Sequence, residues 1–433
     1  MTAGGLLLAA LACLPLAGAV LGLAVWSSPR RLKAWALLVS LASLGVAAAL
    51  NAQAGSAAGI LPVLLPLAAF LSLLGQPPHD ENRAAWIVTL LLLGLGLGIA
   101  TAGAGLGLIL LALVLILLCV VIHRYRGMSV YHPWQGIGTY AVGVVCIVAA
   151  LVAPDKVSSL AYAAVFAMLL PLVPLHGGYV ASLAGLPGNL PAFLAVLLPT
   201  LGFHGMLALS SGTQDVAGTA LAALGLAGAA YGAVKALAQS RARSVLAYAN
   251  LSFFSILWWY VATAGSVPAA ATVYVAGVGL ATSGLLLAWY AIRARYGDMD
   301  LRAIHGLAQP MPRFALLFAL LALAALGLPP FGVFSGFLGM FLRPSLELSG
   351  WFAVIVLAWF AASWYFVDLV QRLIFGRHRP DLPYRDLRWS EMAPLLVILL
   401  VLAVLGVVPA QVFGPATHVL QVRATMEGIA WIP

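Results

Sequence analysis

The sequence predicts an all-α polytopic membrane protein with about fourteen transmembrane helices. Its 433 residues are 64% hydrophobic and only 8% charged, whereas soluble domains carry about 25% charged residues. The apolar residues form continuous runs of about 20 residues, long enough for a helix to cross the hydrocarbon core, and not the alternating runs of about 10 residues typical of outer-membrane barrels. We therefore expect a single transmembrane domain, residues 1–433.

Fourteen hydrophobic segments are each able to cross the membrane as a helix, because a helix satisfies its own backbone hydrogen bonds in lipid. They are residues 4–26, 34–50, 57–75, 84–102, 106–123, 135–154, 157–174, 189–210, 216–238, 243–264, 269–292, 314–342, 349–374 and 391–413. No basic residue precedes the first segment and a basic cluster, residues 30–33, follows it. We interpret that segment as a retained span and not as a signal peptide.

Basic residues fall in every second loop and predict the orientation. Sixteen of the 21 Lys and Arg lie near residues 30–33, 83, 124–126, 241–243, 293–313 and 377–388. The opposite loops contain only Lys156, Arg343 and Arg423. Cytoplasmic loops are enriched in Lys and Arg, so we expect a bacterial cytoplasmic membrane protein with both termini outside the cytoplasm. The net charge of +9 is thereby explained without nucleic-acid binding. One expected cytoplasmic loop, residues 175–188, is uncharged.

Proline and glycine interrupt two of the hydrophobic segments, near residues 171–199 and 327–337. Proline removes a backbone donor and glycine frees the backbone, so each cluster predicts a broken helix. Broken helices persist at membrane depth only where protein or a water-filled cavity satisfies the freed groups. Paired breaks are typical of transporters built from repeats; ordinary proline kinks are the alternative.

Four stretches of the sequence carry a resemblance to a known family. They read V-P-L-H-G at 173–177, A-Q-S-R-A-R-S-V-L-A-Y-A-N-L-S at 238–252, D-L-R-A-I-H-G-L-A-Q-P-M-P at 300–312 and G-L-P-P-F-G-V-F at 327–334. In this order and spacing they resemble the antiporter-like membrane subunits of complex I (NADH-quinone oxidoreductase), of Mrp-type sodium/proton antiporters and of membrane-bound hydrogenases. The resemblance extends over residues 160–410.

The resemblance implies two inverted five-helix repeats, each with a broken helix, which we assign to residues 135–264 and 269–413. It also implies that the chain resides beside other subunits of a membrane complex that moves protons or monovalent cations. The sequence has no nucleophile–base pair, metal-ligand cluster, nucleotide-binding loop or CxxC motif. We therefore predict no catalytic residue, metal or cofactor in this chain, and enzyme activity only through a larger complex.

Most of the buried charges that proton movement requires in this family are replaced here. A lysine or glutamate in a low-dielectric site can change its protonation when a neighbouring charge changes. The family positions for these residues align with Leu169, Thr200, Ser283 and Phe337, and the segment 106–123 has no acidic residue. The sequence therefore predicts a reduced or altered proton pathway.

Seven residues are candidates for what remains of that pathway: Lys235, His204, His176, Asp368, Arg243, Thr200 and Ser283. An ionisable residue inside a span is a functional candidate by default, although simpler explanations exist. Lys235 could extend to the interface, and His204 could be a neutral, hydrogen-bonded histidine rather than a relay. His176 could bond backbone groups freed by the first break. Asp368 could form an i,i+4 ion pair with Arg372.

The sequence supports a role in the proton pathway less strongly for the remaining three candidates. Arg243 belongs to the R-A-R sequence at 241–243, where relatives keep an acidic residue two positions before a lysine. Thr200 lies four residues before His204, on the same helical face. Thr200 and Ser283 could hold water, but a hydroxyl does not store a proton at neutral pH.

Three functions are compatible with the sequence. The first is a membrane subunit of an ion-translocating, energy-coupling complex with the reduced pathway described above. The second is a non-pumping membrane anchor for a catalytic partner, or the membrane subunit of a complex that takes up bicarbonate or CO2, driven by the proton gradient. A stand-alone transporter or membrane enzyme is disfavoured, because no site for its chemistry is visible.

Overall fold

The computed structural model describes residues 3–54, 60–77, 79–126, 133–152, 155–209, 216–297, 300–301, 303–342, 350–376 and 385–413. Regular secondary structure in these ranges is entirely helical, which confirms the predicted fold class. Some of the basic residues that predict the orientation lie outside the described residues. Among them are Arg343 and Arg423 of the opposite loops, and Arg377 and Arg379.

Sixteen α-helices occur in the described ranges. They are α1 (Ala3–Gly22), α2 (Pro29–Ala54), α3 (Leu61–Leu74), α4 (Arg83–Thr101), α5 (Ala104–Arg124), α6 (Pro133–Val152), α7 (Asp155–Leu169), α8 (Gly177–Gly185), α9 (Leu190–Leu209), α10 (Val216–Leu237), α11 (Ala242–Ala264), α12 (Ala269–Tyr296), α13 (Pro312–Leu326), α14 (Gly332–Phe341), α15 (Phe352–Ile374) and α16 (Trp389–Val407). Ten of them are long and apolar enough to cross a membrane alone. If α7–α8 and α13–α14 each form one broken crossing, the described helices make fourteen crossings.

The first break separates α7 from α8 and corrects one prediction. Segment 175–188 was expected to be a loop, but it contains α8, most of which is buried. The loop prediction was wrong because the prolines at 171 and 174 end the apolar run early, while α8 supplies the second half of the same crossing. Its burial also explains why this segment carries no basic residue. The indole nitrogen of Trp258 donates to the carbonyl oxygen of Leu170 at 2.9 Å and satisfies one freed backbone group.

The second break separates α13 from α14 and is covered by α16. Gly327 ends α13 with a φ of +81°, a conformation that favours glycine. Ser335 Oγ donates to the carbonyl oxygen of Leu405 at 3.1 Å. Gly406 packs directly on the backbone of Pro330, where a Cβ would overlap the Pro330 carbonyl oxygen. Protein groups therefore cover one side of this break, while Leu328, Pro329 and Pro330 stay exposed.

The centre of the bundle consists of α9, α11 and α12. In each of these helices 94% of the membrane-length window is buried, against 28% in α2, α6 and α16. Glycines permit close approach here, because the Gly279 position on α12 lies against the backbone of Ala195 and Val196 on α9. A polar side chain on these three helices must find its partners inside the protein.

The limits of the two predicted repeats remain a prediction. Residues 135–264 contain five crossings in the structure, α6 to α11 with α7–α8 counted once. Residues 269–413 contain four, namely α12, α13–α14, α15 and α16. The break is the second crossing in both ranges.

Candidate ion pathway

A chain of neutral hydrogen bonds joins three helices at the centre of the bundle. Asn250 on α11 donates through Nδ2 to the hydroxyl of Tyr179 on α8 at 2.7 Å. Thr282 on α12 donates through Oγ1 to Asn250 Oδ1, also at 2.7 Å. All three side chains are buried, with Asn250 1% exposed. A satisfied network of this kind fixes the packing of its helices, but none of its groups carries a charge.

A second cluster, the first-break cluster, surrounds the residue that precedes α8. It comprises His176, Tyr231, Lys235 and Tyr248. The His176 ring lies 5.3 Å from the ring of Tyr231 and 6.3 Å from that of Tyr248, between centroids. Its Nδ1 is buried, close to the Pro174 carbonyl but without a hydrogen bond of good geometry. The cluster therefore brings together two predicted candidates, His176 and Lys235, from different helices.

The side chain of Lys235 points into the membrane. Its Nζ lies 5.7 Å from the centroid of the Tyr231 ring, and Tyr231 is one turn deeper in α10. Helical side chains lean toward the N-terminus of their helix, which for α10 is the opposite end from the basic residues 241 and 243. The cation–π contact is the geometry expected of an ammonium group held over an aromatic face, and not of a lysine extended to the interface.

Arg243 holds the end of α8. Its Nε donates to the carbonyl oxygen of Leu183 at 3.0 Å and its Nη2 to that of Leu186 at 2.5 Å. The side chain is buried, and a cation at the C-terminal end of a helix is stabilised by the exposed carbonyl dipoles. The guanidinium therefore positions α8, and with it Tyr179.

Asp368 lies on the outer surface of α15. Its carboxylate accepts a hydrogen bond from Arg372 Nε at 2.7 Å, and the two side chains are 40% and 41% exposed. The structure thus has the i,i+4 ion pair and does not bring Asp368 to the first-break cluster. Arg372 shares the same exposed face.

Thr200, His204 and Ser283 lie on the two central helices α9 and α12. Thr200 is buried and its hydroxyl has no hydrogen-bond partner in the protein. His204, one turn further along α9, is partly exposed. Ser283 is buried on α12 beside Thr282, about 100° around the helix from the side that contacts Asn250.

A known protein family matches the part of the chain that holds these residues. The family described as "NADH:quinone oxidoreductase/Mrp antiporter, TM" matches residues 113–364, more than half of the chain. The protein belongs to this family. Residues 113–364 include the central helices, both breaks and the first-break cluster.

Individual members of the family are similar in sequence or in fold. "NADH-quinone oxidoreductase subunit 13" of Thermus thermophilus is 31% identical over 277 residues, which are 60% of this chain and 56% of that one. The Mrp complex of a Dietzia species contains a chain with a TM-score of 0.80 at 17% identity, covering 98% and 99% of the two chains. A chain of an archaeal membrane-bound sulfane sulfur reductase has a TM-score of 0.79 at 18% sequence identity. The match covers 95% of this chain and 96% of that one. The chain spans about half the length of the curated relatives it matches.

At the second break, an aromatic cluster occupies the position where the family resemblance places a lysine or glutamate. The Phe337 ring lies 4.1 Å from that of Trp359 and 4.5 Å from that of Phe341, between centroids. Phe253 on α11 adds a further edge contact to Trp359 at 5.3 Å. None of the side chains of Phe337, Trp359, Phe341 and Phe253 is titratable, so none can take the place of a lysine or glutamate in a proton pathway. The two breaks therefore differ in chemistry: the first holds a histidine and a lysine, the second aromatic rings.

Asn250 and Tyr179 are not among the candidates that the sequence predicts. Asn250 lies inside a quoted family stretch, and an amide within an otherwise apolar span is a signal that a search for charges overlooks. Tyr179 follows the first break by three residues and carries no sequence signal that separates it from an ordinary core tyrosine. Asn189, at the start of α9, belongs to the same overlooked class of buried amides.

Proposed function

We propose that this chain is a membrane subunit of a multi-subunit, ion-translocating complex in which the proton pathway is restricted to the side of the first break. The observation that carries the proposal is the difference between the two breaks. His176 and Lys235 both lie against the Tyr231 ring near α8, whereas Phe337 on α14 packs among aromatic rings. Relatives named as subunits of NADH-quinone oxidoreductase and of an Mrp complex support the assignment to a complex of this kind.

The chemistry of the first-break cluster suits proton movement. A histidine accepts and releases protons near neutral pH and can do so on either ring nitrogen. Lys235 places a positive charge in the same cluster, and a charge near a histidine influences its protonation. Thr200, Ser283 and His204 would continue the path in the central helices. We assign Arg243 to the positioning of α8 and Asp368 to the outer surface.

The test is proton flux through the complete complex. The tagged chain is purified with its partner subunits in mild detergent, reconstituted in liposomes and assayed with a pH-sensitive dye. We expect His176→Phe to reduce the coupled flux at least tenfold, because phenylalanine retains the ring contacts but cannot carry a proton. His123→Phe is the matched control, since His123 lies exposed at the end of α5 against Trp134.

A second candidate function, a non-pumping membrane anchor, is favoured by the neutral residues at Thr200, Ser283 and Phe337. It predicts an intact complex whose wild-type flux equals that of His176→Phe. A chain that purifies without partner subunits would contradict both functions. None of the relatives reported above is named for inorganic-carbon uptake, and that alternative remains a prediction from the sequence.

A further inference from the structure

Three buried side chains near α9 each have at least one polar atom without a hydrogen-bond partner within the protein. Gln76 is 2% exposed and neither Oε1 nor Nε2 is bonded; Asn189 is fully buried with Oδ1 unbonded; Thr200 is 3% exposed with Oγ1 unbonded. Buried polar groups in proteins are nearly always hydrogen-bonded, to other groups or to internal water. Internal waters typically occupy sites with two or more such polar groups.

The first of these groups, the Gln76 amide, lies beside Gly188. Gly188 has a φ of +62°, which favours glycine, and it forms the turn between α8 and α9. A Cβ placed there would lie 3.1 Å from Asn82 Oδ1 and 3.5 Å from Gln76 Oε1. Two amide oxygens therefore lie close to Gly188, at a position where the absence of a side chain lets them approach the turn. Asn82 is itself held by Tyr290, whose hydroxyl accepts from Asn82 Nδ2 at 3.2 Å.

The orientation of the Asn189 amide is fixed by its neighbours. Ser72 and Thr89 donate their hydroxyl hydrogens to the carbonyl oxygens of Ala69 and Ala85, both at 2.8 Å. Each hydroxyl can then only accept a further hydrogen bond. Asn189 Nδ2 donates to both, at 3.2 and 2.8 Å. Oδ1 is thus the unbonded atom, and exchanging the amide nitrogen and oxygen would lose both bonds.

The polar groups continue along one face of α9. Asn189 and Thr200 are eleven residues apart, which places them within about 20° of each other around the helix and about 16 Å apart along it. His204 follows one turn later. On α12, which packs against α9, Ser283 lies about 10 Å further into the membrane than Tyr290. Ser283 is therefore at a depth between Asn189 and Thr200.

We propose that Gln76, Asn82 and Asn189 form a water inlet at the membrane face where α3 ends and α4 begins, and that water extends along α9 past Ser283 to Thr200 and His204. The inlet rests on the proposed function and adds a route to it. Amide and hydroxyl groups hold and orient water, and hydrogen-bonded water relays protons between titratable groups. His204 is the titratable group at the inner end. The route runs between α3, α4, α9 and α12 and reaches Thr200, Ser283 and His204, through which the proposed path continues in the central helices.

Thiol labelling with silver ion tests the inlet, because Ag⁺ is small, reacts with thiols and travels through water. The three native cysteines are replaced by alanine, and Asn189→Cys, Thr200→Cys and Ser252→Cys are made singly in the full chain in native membranes. Ser252 is the matched control: it is 1% exposed and its hydroxyl is bonded to the Ala229 carbonyl at 2.8 Å. Reaction is read as lost labelling by a maleimide polymer after denaturation.

We expect Ag⁺ to react at Asn189→Cys and Thr200→Cys at least tenfold faster than at Ser252→Cys. Equal rates at Thr200→Cys and Ser252→Cys would overturn the proposal. Labelling does not depend on transport, so a reactive Thr200→Cys in a complex without proton flux would uphold the inlet and contradict the proposed function. Proton flux in a complex whose Thr200→Cys does not react would contradict the inlet and uphold the proposed function.

A second measurement uses the unmodified chain, so its result does not depend on whether the cysteine variants fold. Hydroxyl radicals generated in water oxidise side chains that contact it. Phe193, on the Asn189 side of α9, and Phe254, beside Tyr179, are both fully buried. The inlet predicts at least fivefold faster oxidation of Phe193. Equal oxidation of the two rings would contradict it.

Discussion

Glu391 and Asp368 are both carboxylates paired with an arginine, yet their surroundings differ. Glu391 accepts two hydrogen bonds from Arg295, at 3.0 and 2.6 Å, and a third from the backbone amide of Arg388 at the start of α16. The side chains of Arg295 and Glu391 are 15% and 14% exposed. This pair joins α12 to α16, whereas the pair of Asp368 lies within one helix. Burial and the number of bonds decide how much such a pair contributes.

We therefore expect Glu391→Gln to destabilise the chain by about 1–3 kcal/mol, because it weakens several charge-assisted bonds at once. Asp368→Asn, an equally conservative change, should cost no more than about 0.5 kcal/mol, as for other exposed i,i+4 pairs. Thermal aggregation of the two detergent-solubilised variants, followed by fluorescence size-exclusion, measures the difference. A larger loss at Asp368→Asn would show that its carboxylate has a partner beyond Arg372. A loss of proton flux in Asp368→Asn would show that Asp368 belongs to the proton pathway.

The sequence identified most of the charged residues of interest but not the direction of their side chains. In a chain this apolar, both faces of a span are hydrophobic, so the helical periodicity that normally separates core from surface is weak. Lys235 leans along α10 over the partly exposed ring of Tyr231, and Asp368 pairs with Arg372 on the surface of α15. The buried amides Asn250 and Asn189 were missed for a related reason: an uncharged residue does not interrupt an apolar run.

At the scale of helices, α10 and α11 are held together by glycines on one face of α10. At Gly232 a Cβ would lie 2.6 Å from the backbone nitrogen of Ser252 and 2.9 Å from its Cα. Gly225 lies equally close to the backbone of Trp259, and Gly228 lies against the side chain of Ser255. Backbone atoms cannot move aside as side chains do, so a larger residue must separate the two helices. In membranes, small residues typically permit this close packing.

Gly232→Leu should consequently destabilise the chain by about 1–3 kcal/mol through overpacking. Ala230→Leu adds a similar volume two residues earlier, on the exposed face of the same helix, and should change stability by less than about 0.5 kcal/mol. The fraction of chain that remains monodisperse after heating reports both variants. Similar losses in the two would mean that the close approach of α10 and α11 does not limit stability.

The sequence predicted the helices well where apolar runs were continuous and less well where they were broken. Hydropathy located α9, α11 and α12 to within a few residues, because each is a long apolar run bounded by polar or glycine residues. It missed α8, which is only nine residues long and contains three glycines. Short helices gain little from their own hydrogen bonds, and α8 is held instead by Arg243 from α11. No local pattern records a tertiary contact of that kind.

For the whole molecule, the basic residues that end and begin the helices gather on one face of the bundle. Arg241, Arg293 and Arg295 lie at adjoining helix ends, and Asp386 joins them by accepting hydrogen bonds from the backbone amides of Arg313 and Phe314 at 3.0 and 3.1 Å. Arg295 also donates to the carbonyl oxygens of Arg385 and Asp386. The inlet at Gln76 opens on this same face, where Lys33 Nζ donates to the carbonyl oxygens of Leu74 and Gln76. Protons would therefore enter the inlet from whichever compartment this basic face borders.

We expect the basic face to be cytoplasmic, because Lys and Arg are retained on that side during insertion. Green fluorescent protein folds in the cytoplasm and alkaline phosphatase is active only outside it, so a matched pair of fusions reports each position. At the C-terminus we expect active phosphatase and no fluorescence. After Gly297, at the end of α12, we expect the reverse. If both reporters gave the opposite pattern, the bundle would be inverted, and the inlet would then draw its protons from outside the cell.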